Sequence, residues 1–444
     1  MRICLISSFP PTLDGPASYS SRLTEALLKS DPSIHLTVLS NASPAPQAII
    51  SNRIDVIKAW DKNSILYPLS VFYFVRRSNP HIVDCHFESR LFGTNAANIV
   101  LFFVMLVLLR CTLRPLLVTL HNVMSLSRLS GSFLRRHRIG LSVGIARHAL
   151  FIHTRLMWLI VGQLNTIAKS ISDVLVGEYG LPSDGLFVVP HGADTASSSY
   201  DRDEAKRSLR VQGRRVILFF GEIRRQKGIE TVIRASTKVI RDHPDAVFLI
   251  VGHYRPQDSL ESAGYLDELL ALVKSLGVEG NVAVDGHFVP ARSISTYYAA
   301  ADMVVLPYVE DALVSGSGPL SKALGYGKAI IATRIPMFQA ELSAGKNALL
   351  FEPWNSEELA DAIELILGDE RLRDRLEKKA LEIGQARSFS NTAENTLSLY
   401  RRMVRGRVKR NRYVDRLRAS VVRAEHADLE RKRGGFRRSV TGSC

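Results

Sequence analysis

At 444 residues the chain is too long for one ordinary hydrophobic core, so two domains are expected, and 46% apolar content supports globular folding. Its four cysteines (Cys4, Cys85, Cys111, Cys444) have neither metal-ligand spacing nor the density of a disulfide framework, which excludes a small secreted scaffold and fits a reducing cytoplasm. The net charge of +15 is unevenly placed: residues 401–438 carry 15 Lys/Arg against 4 Asp/Glu, so the tail supplies most of the basicity.

In chain order, Met1–Pro10 holds only a short apolar run and reads as a first strand (Ile3–Ser7) rather than a signal peptide. A loop with Gly15 and a helix over Ala17–Leu28 follow. Leu36–Ser40, His81–His86 and Leu116–Leu120 read as further strands, the last ending at His121. Strands alternating with helices predict a parallel sheet covered on both faces. Between Ser89 and Ser172 there is no Asp or Glu, while ten Lys/Arg are present. Two apolar runs lie there, Ala96–Leu109 and Ala149–Leu164, both too short to span a bilayer. Ala96–Leu109 is expected to be a buried helix. Ser125–Trp158, where Arg128, Arg135, Arg136, Arg138, Arg147 and Arg155 cluster, is expected on an anionic membrane surface, each cation adding about 1 kcal/mol.

From about Ala193 to Arg214 the composition turns polar, which predicts a linker and the start of a second domain. Val216–Phe220 is an apolar strand ending at Gly221. Arg224, Arg225 and Lys227 come next, then a helix with Ile229, Val232 and Ile233 on one face. Cations at a helix start beyond a strand suit a diphosphate, although solvated surface charge is the plain alternative. Val247–Val251, Asn281–Gly286, Ala301–Pro307 and Lys328–Thr333 continue the strand series. Between the last two lie Glu310 and Asp311, then the turn Ser315–Gly318 (Ser-Gly-Ser-Gly) and a short helix. A glycine turn entering a helix presents unpaired N–H groups to an anion, and the acidic loop beside it suits sugar hydroxyls. One sugar nucleotide would occupy both. Past Arg401 the tail is basic and helix-prone. Its only aromatics are Tyr413 and Phe436, so interleaved stacking residues are lacking and nucleic-acid binding gains no support.

Six segments, in this order, resemble the retaining, two-domain glycosyltransferases of the GT-B fold, specifically the large group-4 family with its glycosyl transferases group 1 domain. They are ICLISSFPPTLDGPASYSSRLTEAL, VTLHNV, VVPHGAD, FFGEIRRQKG, GHFVPARSISTYYAAADMVVLPY and NALLFEPWNSEELADAIELIL. The resemblance covers roughly residues 1–404. It implies an α/β chain of two Rossmann-like parallel-sheet domains facing a central cleft, with a basic C-terminal helical tail. The domains expected are 1–195, which binds the acceptor and faces the membrane, and 196–388, which binds the nucleotide sugar. A helix at 389–404 would pack back on the first, and 405–444 would be tail.

The resemblance implies roles as well. Gly15 would let the backbone approach the donor, although Pro16 stands where the family usually has a second glycine. His121 would face the transferred sugar. Arg224 and Lys227 would grip the diphosphate, with Gly221, Ser315, Gly316 and Ser317 beside it and Glu310 or Asp311 on the sugar. Backbone groups of His287 and Val289 would read the base. The family's paired glutamates fall at Val314 and Lys322 here, so both are missing.

The implied reaction moves a sugar, with retention and without a metal or other cofactor, from a UDP- or GDP-linked donor to a hydroxyl. The partners expected are a nucleotide sugar, a glycan or lipid-linked sugar acceptor and an anionic membrane surface, on the inner face of the cell membrane. The alternatives are a sugar phosphorylase or nucleotide-sugar epimerase on the same fold, or a non-catalytic membrane-associated scaffold.

Overall fold

The computed structural model describes residues 1–41, 51–93, 95–137, 139–195, 201–256, 263–309 and 312–406. The first half builds β1 (Arg2–Ile6), α1 (Gly15–Ser30), β2 (His35–Ser40), β3 (Ile54–Lys58), α2 (Tyr67–Ser78), β4 (Ile82–Phe87), α3 (Ala96–Cys111) and β5 (Leu116–Leu120). After these come β6 (Asn122–Met124), α4 (Gly131–Arg136), α5 (Val143–Val161), β7 (Leu164–Thr166), α6 (Lys169–Gly177) and β8 (Leu186–Val188). Seven strands form a parallel sheet in the order β3-β2-β1-β4-β5-β7-β8. β1 and β5 are almost wholly buried, as parallel strands covered on both faces must be. Asp84 and Phe87 lie three apart on β4 and so point to opposite faces. Asp84 accepts a hydrogen bond from Tyr400 of the last helix, whereas Phe87 packs on Phe102 of α3 and His153 of α5.

The second half builds α7 (Arg202–Ser208), β9 (Arg215–Phe220), α8 (Ile229–Asp242), β10 (Ala246–Val251), α9 (Tyr265–Ser275), β11 (Val282–Asp285), α10 (Ala291–Ala300) and β12 (Met303–Leu306). It continues through β13 (Leu313–Ser315), α11 (Gly318–Gly325), β14 (Ala329–Thr333), α12 (Pro336–Gln339), β15 (Leu349–Phe351), α13 (Ser356–Gly368), α14 (Glu370–Ala386) and α15 (Phe389–Val404). Six strands pair in parallel in the order β11-β10-β9-β12-β14-β15. On α8, Ile229, Val232, Ile233, Ser236 and Val239 make the buried face at helical spacing. The strand expected over 301–307 is only β12. The Ala301 N–H instead closes the end of α10 on Tyr297 O, and the Asp302 N–H bonds Val216 O.

Two separate cores result. One gathers buried residues from Ile3 to Val189 together with Ala393–Met403 of α15, which packs on α1. The other runs from Val211 to Ala380. In each sheet the strand order reverses beside the first strand, between β1 and β4 and between β9 and β12. Such reversals open a crevice beyond the carboxyl ends of the strands. The loops holding Asp14, Arg90, Gly221 and Tyr308 all leave from those ends.

Candidate active site

A third, two-stranded sheet joins the halves. β6 of the first domain pairs antiparallel with β13 of the second, Val123 opposite Val314 and Asn122 opposite Ser315. The Ser125 N–H extends it by donating to Ala312 O at 2.7 Å. Arg255 donates to Leu13 O across the same divide. Asp194 accepts from Arg22 Nε at 2.7 Å and lies 4.0 Å from Lys322 Nζ, tying α1 to α11.

The loop after β9 carries the charge. Gly221 follows Phe220, and Arg224 immediately precedes a single tight turn, Arg225–Lys227. Gly228 closes that turn at φ 59°, where a Cβ would stand 2.1 Å from Pro307 O, so only glycine lets the loop lie against the end of β12. Gly252 is as constrained, since its Cβ would meet Gly221 O at 1.6 Å. Lys227 Nζ sits 3.5 Å from the centre of the Tyr308 ring. Arg224 Nε is buried 3.2 Å from Glu222 but lacks hydrogen-bond geometry. Burial pushes the Glu222 carboxyl up, yet Arg224, Lys227, Arg255 and Arg90 outweigh it and hold Glu222 below the usual carboxylate range. Four cations from both domains thus converge on one carboxylate. Arg224 and Lys227 were legible in the sequence. Arg90 and Arg255 were missed, because only the tertiary fold brings them in. Arg225, the neighbour of Arg224, pairs instead with Glu268 at 2.6 Å.

The turn Ser315–Gly318 differs from expectation. Ser315 belongs to β13, and Gly316 presses on Ile167 of the first domain. Ser317 caps α11, its Oγ accepting from the Leu320 N–H at 3.2 Å. Pro319 has no N–H to give. The helix start therefore offers fewer free donors than a bare glycine turn would. Val314, where the family has a glutamate, is 3% exposed and packs in the first domain's core. Lys322, at the second such position, is pushed down by burial, opposed by Asp194. Gly15 opens α1 just after the cap residue Asp14, with no atom within 4 Å of where its Cβ would be.

His121 lies directly after β5, and its N–H donates to Phe87 O at 2.9 Å. Its Nε2 is 3.2 Å from His86 Nδ1, and Ser20 Oγ is also 3.2 Å from that atom. Asp84 Oδ2 stands 3.7 Å from His86 Nε2 and takes a 2.6 Å hydrogen bond from Tyr400. Tyr19 touches the rings of His86, His121 and His191, at 5.7, 5.0 and 4.9 Å. Burial first, then His86 and His191, push His121 well below 6.5, so it is neutral at physiological pH. The Asp84 charge favours the His86 tautomer protonated on Nε2. His86 Nδ1 then accepts from His121 Nε2–H, which leaves His121 Nδ1 as a hydrogen-bond acceptor. Only His121 of this group stood out in the sequence.

In the loop after β11, the His287 N–H and Nδ1 both engage Asp285 Oδ1, at 2.9 and 2.7 Å, so that N–H is not free to read a base edge. Val289 is half-buried against the second core. Phe288 between them was missed. It is 47% exposed, with its ring 5.6 Å from that of His253, a flat face suited to stacking. Arg135 is exposed on α4. Arg136 ends that helix, and Arg138, Glu310 and Asp311 lie outside the described residues.

Residues 201–382 match the family described as Glycosyl transferases group 1. An uncharacterized glycosyltransferase of Methanocaldococcus jannaschii is 27% identical over 246 residues, 54% of this chain and 60% of that one. A D-inositol 3-phosphate glycosyltransferase of Corynebacterium urealyticum is 30% identical over 247 residues, 54% of this chain and 55% of that one. The chain thus spans less than two thirds of the length of these relatives. Anabaena HepE, solved in complex with UDP-glucose, superposes with a TM-score of 0.65 at 17% identity, over 90% of this chain and 99% of that one. The fold is GT-B: two parallel-sheet Rossmann-like domains facing a cleft.

Proposed function

We infer, from the match of residues 201–382 to the family described as Glycosyl transferases group 1, that the chain moves a sugar from a nucleoside-diphosphate donor to a hydroxyl acceptor. The observation that carries this reading is the glycine-bounded loop after β9, which sets Arg224 3.2 Å from Glu222 and Lys227 Nζ 3.5 Å from the centre of the Tyr308 ring, at the carboxyl end of the second sheet. Arg255 and Arg90 add positive charge around Glu222, so a diphosphate bound there meets cations whose charge Glu222 only partly balances. Four positive groups also stabilise the same diphosphate as it leaves. HepE, solved with UDP-glucose, has the same fold, which supports a nucleotide-sugar donor; the donor proposed is UDP- or GDP-linked.

The reaction proposed proceeds with retention and needs no metal or other cofactor. The bond from the anomeric carbon to the diphosphate oxygen breaks, and the acceptor oxygen bonds that carbon on the same face. The acceptor proton passes to the departing diphosphate. His121, neutral and held by His86, positions a sugar hydroxyl through Nδ1, while the protein's main contribution is orientation. The acceptor proposed is a lipid-linked or membrane-held glycan, reached from the cytoplasmic side.

A second reading, a non-catalytic scaffold, draws on Val314 and Lys322 standing where the family has glutamates. Incubation with UDP-, GDP- and ADP-sugars and a membrane lipid extract separates the readings. Nucleoside diphosphate release that requires the extract supports transfer. Release driven by inorganic phosphate identifies a phosphorylase, and epimerised donor without any acceptor identifies an epimerase. No turnover and no nucleotide binding would establish the scaffold.

A further inference from the structure

Three neighbouring helices of the first domain turn apolar stripes away from its core. On α3 the stripe is Val100, Val104 and Val107, at i, i+4, i+7, with Val100 61% exposed. On α5 it is Ile145, Ile152, Leu156 and Leu159, with Ile152 62% exposed. On α2 it is Leu69 and Tyr73, with Leu66 at the helix cap. α3 packs against both α2 and α5, so the stripes lie side by side. The sequence predicts burial for Ala96–Leu109. In fact only one face of it is buried, by Phe102, Met105, Leu106 and Leu109. Soluble monomers rarely leave a contiguous apolar face of this extent uncovered.

Charge decides what covers it. Between Lys62 and Ser172 there are thirteen Lys/Arg and only two acids, Asp84 and Glu88. Asp84 is buried and bonded to Thr119 and Tyr400, and Glu88 accepts from Asn122 and from the Arg90 N–H. No exposed acid therefore lies on these helices to offset Arg76 and Arg77 in the last turn of α2. A symmetric dimer through this face would set cations against cations. The chain's own tail is more basic still, so it is repelled as well.

We propose that the α2–α3–α5 face lies in the interfacial zone of an anionic lipid bilayer. The stripes enter among the acyl chains, and Arg76 and Arg77 meet headgroup phosphates. Among the described residues no helix is long and apolar enough to cross a membrane, so the helices lie on it. α3 starts soon after the Arg90 loop, which sets the edge of this face beside the cleft. The inference rests on the reading of a membrane-held acceptor and deepens it, giving the bilayer a specific surface distinct from the Arg135 cluster.

Co-sedimentation of the full chain with vesicles of equal parts phosphatidylcholine and phosphatidylglycerol tests this, with nucleotide binding measured alongside. Wild type is expected to bind these vesicles, to keep part of that binding in high salt, and to bind pure phosphatidylcholine at least tenfold more weakly. The V104E/I152E variant should lose at least tenfold in vesicle affinity while its melting temperature and nucleotide binding stay unchanged. Three outcomes would overturn the proposal: no wild-type binding, binding equal in wild type and variant, or a concentration-dependent dimer that the variant abolishes. Vesicle binding without nucleotide binding would sink the transferase reading and leave the surface standing. The converse would do the opposite.

Discussion

Burial sets the protonation of three histidines of the first domain. It pushes His191 down to about 4, with Lys322 adding to it, and on its own pushes His153 down to about 4. His121 lies well below 6.5 for the same reason. In the unfolded chain all three regain values near 6.5. Between pH 4 and 6.5 the unfolded state therefore binds more protons, and stability rises with pH across that window. The melting temperature should fall as pH drops from 6.5 towards 4. His153, stacked among Phe87, Phe102 and Phe103, contributes up to roughly 3 kcal/mol of that loss. An H153L variant should show a visibly flatter Tm profile over the same range, and an unchanged slope would refute this account of His153. At this scale the sequence exposed what adjacency encodes. Arg224 and Lys227 follow a strand and a glycine, and His121 ends a strand. Arg90, Arg255, His86 and Phe288 carry no local signal, since their roles come from residues far away in the chain.

Short elements follow the same division. β9, β10 and β14 are continuous apolar runs, which a parallel sheet buried on both faces requires, and they were plain in the sequence. β6 and β13 are three residues each, too short for alternation to register, and each becomes a strand only because the other lies opposite. That pairing explains why Ser315 is strand rather than turn, and it buries Val314 at 3% exposure. A carboxylate there would be buried between the domains without a partner. V314E should cost on the order of 3 kcal/mol, a fall of roughly 6–12 °C in Tm. An unchanged Tm would mean that position 314 faces open cleft. α3 misled for the opposite reason. A helix apolar all round reads as buried, and periodicity holds no record of the stripe left open.

At the scale of the molecule, two sheets of the same design place their strand-order reversals where the loops of both domains meet. β6–β13, Arg255 on Leu13 O and the Asp194 contacts hold those loops together. Alternating strands and helices made the two-domain α/β architecture legible, and the order of six motifs made the GT-B resemblance legible. The cations near Glu222 come from both halves, which no linear pattern brings together. The central claim is that Arg224 and Lys227 bind the diphosphate of a nucleotide sugar. Calorimetric titration of UDP, GDP, ADP and their sugar conjugates into wild type and the R224A/K227A variant tests it most directly. One nucleotide should bind tightly, with affinity falling about 10²–10⁴-fold in the variant, as loss of two charge-assisted contacts requires. Failure of every nucleotide to bind, or equal binding by wild type and variant, would contradict it.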